Sequence, residues 1–233
     1  MIQFIGNGSA FNSSRGNNSA FIKGEESMVI IDCGGDVFHK LKENGLLDCK
    51  RLYIIITHTH PDHIGSLGDL IFYAHYIKNI KPKIFFPHKK TIEDILSYLG
   101  VSKELYDLES RYVNEFYDKE FKGVEIEFSN AKHVQEIPAY SFIFKMQGEN
   151  FFYSGDTSEV NEEAIEMLKN SKISEVYHEV SSLDFKDSPH TSVDKLCSAF
   201  NKEWRKSVYC MHIDEELDEK HLIDLGFNIT KTI

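Results

Sequence analysis

Thr57-His58-Thr59-His60-Pro61-Asp62-His63 places three imidazoles and a carboxylate within six residues, directly after the apolar run Leu52-Tyr53-Ile54-Ile55-Ile56. Imidazole and carboxylate are side chains that hold Zn²⁺ and related divalent ions. Side chains alternate faces along extended backbone, so His58 and His60 can address one ion while the following turn swings Asp62 and His63 toward a second. The spacing predicts two metal centres. A polar loop carrying histidines for no chemical reason is the bland alternative. Ligand-type residues at the carboxyl end of a buried strand, the usual place for sites in α/β proteins, argue against it.

Two metals need more donors than one turn supplies, and suitable residues recur where later strands should stop. His133 follows Val124 to Phe128, Asp156 follows Phe151-Phe152-Tyr153-Ser154-Gly155, and His212 follows Val208 to Met211. Glycine at 155 lets the backbone turn and present the carboxylate. Cys210, two residues before His212, reads as packing beneath the site rather than as a ligand.

The elements that must position these residues are legible as apolar runs rich in β-branched and aromatic side chains. Strands are expected around Ala20 to Ile22, Met28 to Ile31, Tyr53 to Ile56, Ile84 to Phe86, Val124 to Phe128, Tyr140 to Phe144, Phe151 to Tyr153 and Ser207 to Met211. Helical spacing marks Ile64 to Ile77, Thr91 to Leu99, Lys103 to Leu108, Asn161 to Leu168 and Val193 to Phe200. Asn161 before Glu162-Glu163, and Asp214 before Glu215-Glu216, read as capped helix starts. Strands at hairpin spacing mixed with βα units predict an α/β protein of two packed sheets with helices outside. One domain spanning 1–233 is expected. The Gly/Ser/Asn-rich stretch from Gly6 to Ser19 is expected to be a loop at the rim of the site, and residues 88–122 are the least readable part.

Composition limits the partners. Thirty-seven acidic against 26 basic residues give a formal charge of −11, a field that repels a phosphate backbone and disfavours a large RNA substrate. The clusters Lys81-Pro82-Lys83 and His88-Lys89-Lys90 are short enough to be solvated surface. No apolar run reaches the roughly 18 residues that would span a bilayer, and the start lacks a secretory pattern, so a cytoplasmic protein without membrane attachment is expected. The four cysteines, Cys33, Cys49, Cys197 and Cys210, have neither CxxC spacing nor the density of a disulfide framework and read as reduced.

The first motif resembles the HxHxDH signature of the metallo-β-lactamase superfamily at every specified position, and the later residues resemble its full ligand series across nearly the whole chain. The resemblance implies an αββα sandwich. It also implies that His58, His60 and His133 hold one metal and Asp62, His63 and His212 the other, with Asp156 bridging and Asp62 belonging to the catalytic set. A bridging carboxylate where the true zinc β-lactamases place cysteine separates this chain from them. Two divalent ions roughly 3.5–4 Å apart lower the pKa of a bridging water and clamp the oxygens of a displacement, so hydroxide would be the nucleophile. The donor mix favours Zn²⁺, and Mn²⁺ or Fe²⁺ would tolerate the same set.

Three further segments resemble elements of the superfamily, the last two those of its ribonuclease Z branch. Ile31-Asp32-Cys33-Gly34-Gly35 resembles an element whose aspartate supports the metal-binding loop. Tyr177-His178-Glu179-Val180 and Pro189-His190-Thr191-Ser192 resemble the elements that supply a phosphate-contacting histidine and its orienting glutamate, which assigns His190 as general acid or substrate contact and Glu179 as its partner. Val180-Ser181 and Thr191-Ser192 depart from the usual Ala-Thr and Ser-Thr. Arg15 and Asn18, in a segment resembling the opening of that branch, are expected to contact substrate, with a rim loop built for φ > 0 as the alternative.

Members that process transfer RNA insert a long basic arm between the third histidine and the bridging aspartate. Here only 22 residues separate His133 from Asp156. The expectation is therefore a phosphodiesterase acting on a small diester such as a cyclic nucleotide, with the homodimer common in that branch as an analogy. The alternatives are a lactonase or thioesterase using the same metals on a carbonyl, and a catalytically silent metal-binding regulator.

Overall fold

The computed structural model describes residues 2–233. The first sheet has the order β1 to β6: β1 (Gln3–Gly6), β2 (Ser19–Lys23), β3 (Ser27–Ile31), β4 (Arg51–Ile55), β5 (Lys83–Phe85) and β6 (Asp107–Glu109). Its first three strands pair antiparallel, and β3 through β6 run parallel. The second sheet runs in reverse order from β13 (Asn228–Ile229) through β12 (Val208–Met211), β11 (Glu175–Glu179), β10 (Glu149–Tyr153), β9 (Tyr140–Met146) and β8 (Lys122–Asn130) to β7 (Val113–Asp118). Here β7 to β10 form an antiparallel meander, and β10 to β13 are parallel.

The periodicities explain the layers. Strand β3 is buried along its whole length, as a strand covered on both faces must be, whereas β8 alternates buried with more exposed positions along Val124–Phe128. Phe21, Ile30 and Ile54 of the first sheet and Phe142, Phe144, Phe151 and Tyr153 of the second belong to one apolar cluster. Phe4 stitches the seam, its ring 5.6 Å from Tyr177 and 6.5 Å from Tyr153. Helices α1 (Val37–Glu43) and α3 (Leu67–Tyr76) contribute Leu41, Leu70 and Ile71 to this cluster. A second cluster joins Val176, Val208 and Cys210 to α5 (Glu162–Lys169), α6 (Val193–Ala199) and α7 (Glu219–Asp224) through Leu168, Leu196 and Leu222. The result is the expected αββα sandwich of two mixed sheets flanked by helices.

Several local expectations need correction. The helix expected over Ile64 to Ile77 is two helices, α2 (Pro61–Ile64) and α3, broken at Gly65-Ser66, where the Ser66 hydroxyl donates to Gly34 O at 2.5 Å. Lys103 to Leu108 is a 3-10 turn (Lys103–Leu105) followed by β6, while α4 (Lys89–Tyr98) answers the helix expected over Thr91 to Leu99. No helix starts at Asp214, because its Oδ2 accepts from the Ser181 hydroxyl at 2.8 Å and the Ser182 N–H at 2.7 Å; α7 starts at Glu219, capped by Asp218. Asn161 does cap α5, accepting from Ala164 N–H at 3.0 Å.

The basic clusters are solvated ion pairs: Lys81 with Asp107 at 2.7 Å, Lys83 with Glu109 at 3.4 Å, and Lys90 with Asp94 one turn along α4. No helix among the described residues is long and apolar enough to cross a membrane.

Candidate metal centre and active site

Strands from both sheets end at one edge of the sandwich, and the chemistry sits in the segments that follow them. The segment after β4 turns into α2 and carries His58, His60, Asp62 and His63; those after β8, β10 and β12 carry His133, Asp156 and His212; Glu179 is the last residue of β11. At Gly155 φ is +57°, and a Cβ there would lie 2.8 Å from Tyr140 O and 3.0 Å from Thr57 Cβ. Glycine lets the chain leave β10 this close to the segment that follows β4 and carries His58. At Gly34 a Cβ would lie 2.0 Å from Asp62 O, so the loop after β3 packs directly on the ligand turn.

The donor atoms form two groups that share Asp156. In the first, His58 Nε2 and His133 Nε2 lie 3.1 and 3.2 Å from His60 Nδ1, and Asp156 Oδ2 lies 3.7 Å from His58 Nε2 and 3.9 Å from His133 Nε2. In the second, Asp62 Oδ2 lies 3.3 Å from both His63 Nε2 and His212 Nε2, with Asp156 Oδ1 3.4 Å from His63 Nε2 and Asp156 Oδ2 3.4 Å from His212 Nε2. Zn²⁺ with ligands at about 2.0–2.1 Å in a tetrahedron separates its donor atoms by roughly 3.3 Å. The spacings fit a cation in each group, and His63 Nε2 and Asp156 Oδ1 are buried with no hydrogen-bond partner among the described residues.

Electrostatics agree with that chemistry. Burial holds the His58, His60 and His133 imidazoles below their usual pKa, which keeps lone pairs available. Burial also resists charge on His63 and His212, but the carboxylates of Asp156, Asp32 and Asp62 outweigh it and raise both. Burial opposes ionisation of Asp62 and Asp156 too, yet the surrounding histidines hold both carboxyls below the usual range. The pocket is thus built around compensated charge.

Support lies one step out. Asp32, fully buried at φ +60°, accepts from Thr57 N–H at 2.8 Å and the Thr57 hydroxyl at 2.7 Å, and its Oδ2 lies 2.8 Å from His63 Nδ1. It fixes the His63 ring from behind. His133 Nδ1 meets Pro189 O at 3.0 Å, which orients that ring and ties it to the segment bearing His190.

Glu179 and His190 come together at the same edge. His190 Nδ1 lies 3.1 Å from Glu179 Oε1 and 4.0 Å from Asp156 Oδ2. Burial works against charge on His190, but Glu179 outweighs it, with help from Asp156 and Asp62, and lifts the imidazole to about 9. Burial pushes the Glu179 carboxyl up as well. Its Oε1 accepts from Thr157 N–H at 2.9 Å and Thr191 N–H at 3.3 Å, contacts that favour a carboxylate paired with an imidazolium. His178 points the other way: it is fully buried, its Nδ1 is 2.7 Å from Glu179 O, and burial lowers it to about 4.

Two expectations shift. Asn18 is buried below the rim, at 1% exposure, and donates to Tyr153 OH at 2.9 Å; it braces the seam instead of lining the opening. The Arg15 guanidinium is engaged by Glu219 at 2.6 Å and reaches Asn7 Oδ1 at 3.4 Å. Cys210 packs in the outer cluster with α6, away from the donors. Sequence reasoning missed Thr157, Thr191 and Pro189 as partners of Glu179 and His133, because each acts through a backbone group that residue type does not advertise.

This fold and this constellation define a metal-dependent hydrolase of the metallo-β-lactamase fold. YhfI from Bacillus subtilis superposes with a TM-score of 0.75 at 17% identity, covering 99% of this chain and 96% of that one. The short form of human tRNase Z superposes with a TM-score of 0.66 at 19% identity, over 92% of this chain and 93% of its own. The family model for the anti-Pycsar protein Apyc1 matches residues 1–230, and the chain belongs to that family. The anti-Pycsar protein Apyc1 of Paenibacillus harenae is 26% identical over 226 residues, which cover 94% of this chain and 91% of the relative.

Proposed function

We propose that the protein is a dinuclear metal-dependent phosphodiesterase acting on a small nucleotide diester, with 3′,5′-cyclic nucleotides as the leading class. His58, His60, His133 and Asp156 would hold one ion, and Asp62, His63, His212 and Asp156 the other, with Zn²⁺ favoured by the donor set. Such ions supply Lewis acidity and bring the pKa of a bound water toward neutrality.

The observation that carries the reading is the Glu179–His190 pair beside Asp156. A phosphodiester bears a negative charge that lactones and thioesters lack, and an imidazolium held charged by a buried carboxylate suits it. With Nδ1 committed to Glu179, His190 keeps Nε2 to contact a phosphate oxygen or to donate a proton to the departing alkoxide. Asp32 and the Pro189 carbonyl hold His63 and His133 in place through the cycle.

A small substrate is supported by what lies between His133 and Asp156. That interval holds the short segment 134–139 and then β9 and β10, joined at Gln147-Gly148, and offers no long arm for an extended polyanion. The charge of −11 acts in the same direction. The direct test gives metal-loaded protein a 3′,5′-cyclic nucleotide, a precursor transfer RNA and a lactone panel. Conversion of the cyclic nucleotide to a nucleoside monophosphate, with the RNA uncut, is expected; turnover confined to the lactones would refute the reading.

A further inference from the structure

The turn that carries His212 is held from outside the metal cluster. His212 has a left-handed φ of +56°, uncommon for a residue with a side chain, so something must stabilise the turn it makes. The next residue, Ile213, is fully buried and has both backbone groups captured by the loop between β1 and β2. Its N–H donates to Asn7 O at 2.8 Å, and its carbonyl accepts from Ser9 N–H at 3.0 Å and from the Asn12 side-chain amide at 3.0 Å. Asn12 is 3% exposed, and its own carbonyl oxygen accepts from the Ser14 hydroxyl at 2.7 Å, which orients the amide so that nitrogen faces Ile213. On the far side, Asp214 is tied to Ser181 and Ser182.

We propose that Asn12 is a positioning residue for His212: by clamping the Ile213 carbonyl it holds the His212 turn in the conformation that aims Nε2 at Asp62 and Asp156. The inference rests on the dinuclear reading above. It assigns to the amino-terminal loop a task other than substrate contact. It also explains why an amide donor, rather than merely a small polar residue, occupies a buried position 201 residues from its partner in sequence.

The test compares Asn12→Ala and Asn12→Asp with the unchanged chain and with Leu96→Ala, a destabilising core variant in α4 whose side chain packs in the other apolar cluster from Ile213. Zinc affinity of metal-stripped protein is measured by chelator competition, and amide hydrogen exchange is followed at Ile213. Both Asn12 variants should bind one of two zinc ions about 10-fold or more weakly, the range expected when support behind a ligand is removed. The ion held by His58, His60 and His133 should be unaffected. Ile213 exchange should quicken in both variants and not in Leu96→Ala. Asp keeps the volume but has no N–H to give, so an Asp variant with normal zinc binding and Ile213 protection would overturn the proposal. Equal weakening of both ions in all three variants would overturn it too. If the unchanged chain takes up fewer than two ions, the dinuclear reading falls, while the exchange result still decides whether Asn12 holds the turn.

Discussion

His190 Nδ1 sits 3.1 Å from Oε1 of a fully buried Glu179, so the ring is oriented and charged by a carboxylate that cannot rotate into solvent. If this pair serves a phosphodiester, removing either member should cost rate more than metal. Glu179→Gln should lower kcat on a diester by about 10-fold or more while zinc content stays at the level of the unchanged enzyme, because general acid catalysis contributes about 10²–10⁴-fold and depends on orientation. Steady-state kinetics with metal analysis on the same samples decides it. Lost zinc with unchanged kcat per bound metal would reassign the pair to the metal shell.

Asp156 faces both donor groups, which no other carboxylate in the cluster does. Asp156→Ala should therefore reduce the affinity of both ions and abolish diester hydrolysis, whereas His212→Ala should weaken one ion selectively. Metal stripping should also lower the melting temperature, since ions bound only by the folded chain stabilise it by mass action. Differential scanning fluorimetry with and without a chelator reads this directly.

Gly155→Ala should damage the site without touching a ligand. A Cβ at φ +57° meets Tyr140 O at 2.8 Å, so the turn must move and carry Asp156 with it. A stability loss of about 1–3 kcal/mol, the scale of a strained backbone position, should accompany weakened metal uptake. Urea unfolding and zinc titration on this variant measure the two effects separately.

The two sheets are also tied at Asp118, and that tie sets a pH dependence. Burial opposes charge on Asp118, but backbone N–H groups of Glu120 and Phe121, the Ser27 hydroxyl and Tyr53 outweigh it and hold the carboxyl at about 2. Arg51 Nε lies 2.9 Å away. A carboxyl held below its unfolded value stabilises the fold above that value, and the contribution fades as pH falls through roughly 4 to 2. Holding the carboxyl at about 2 against an ordinary value of 3.8 is worth about 2–3 kcal/mol. Asp118→Asn should lose about that much at pH 7 and show a flatter acid limb, as unfolding midpoints between pH 7 and pH 3 would reveal.

Much of this was legible in the chain, for identifiable reasons. A strand buried along its whole length, such as Ser27–Ile31, and one largely buried, such as Arg51–Ile55, announce themselves as apolar runs, and ligand types following the latter mark the site. β11 is harder to read, since Glu175, His178 and Glu179 flank Val176 and Tyr177; Glu175 takes the Tyr177 hydroxyl two residues away, while Glu179 is accommodated by Thr157 N–H, 22 positions back. Asn18 reads like a loop residue until its bond to Tyr153, 135 positions away, is seen. Asp214 carries a good capping signature and loses it to Ser181 and Ser182. In each case a tertiary hydrogen bond overrode a local preference.

The most direct test of the central claim is hydrolysis of bis(p-nitrophenyl) phosphate by zinc- and manganese-loaded protein, with His190→Ala measured alongside. The account predicts metal-dependent turnover that falls about 10²-fold or more in the variant at unchanged metal content. No turnover with both metal sites filled, or a variant as fast as the unchanged enzyme, would contradict it.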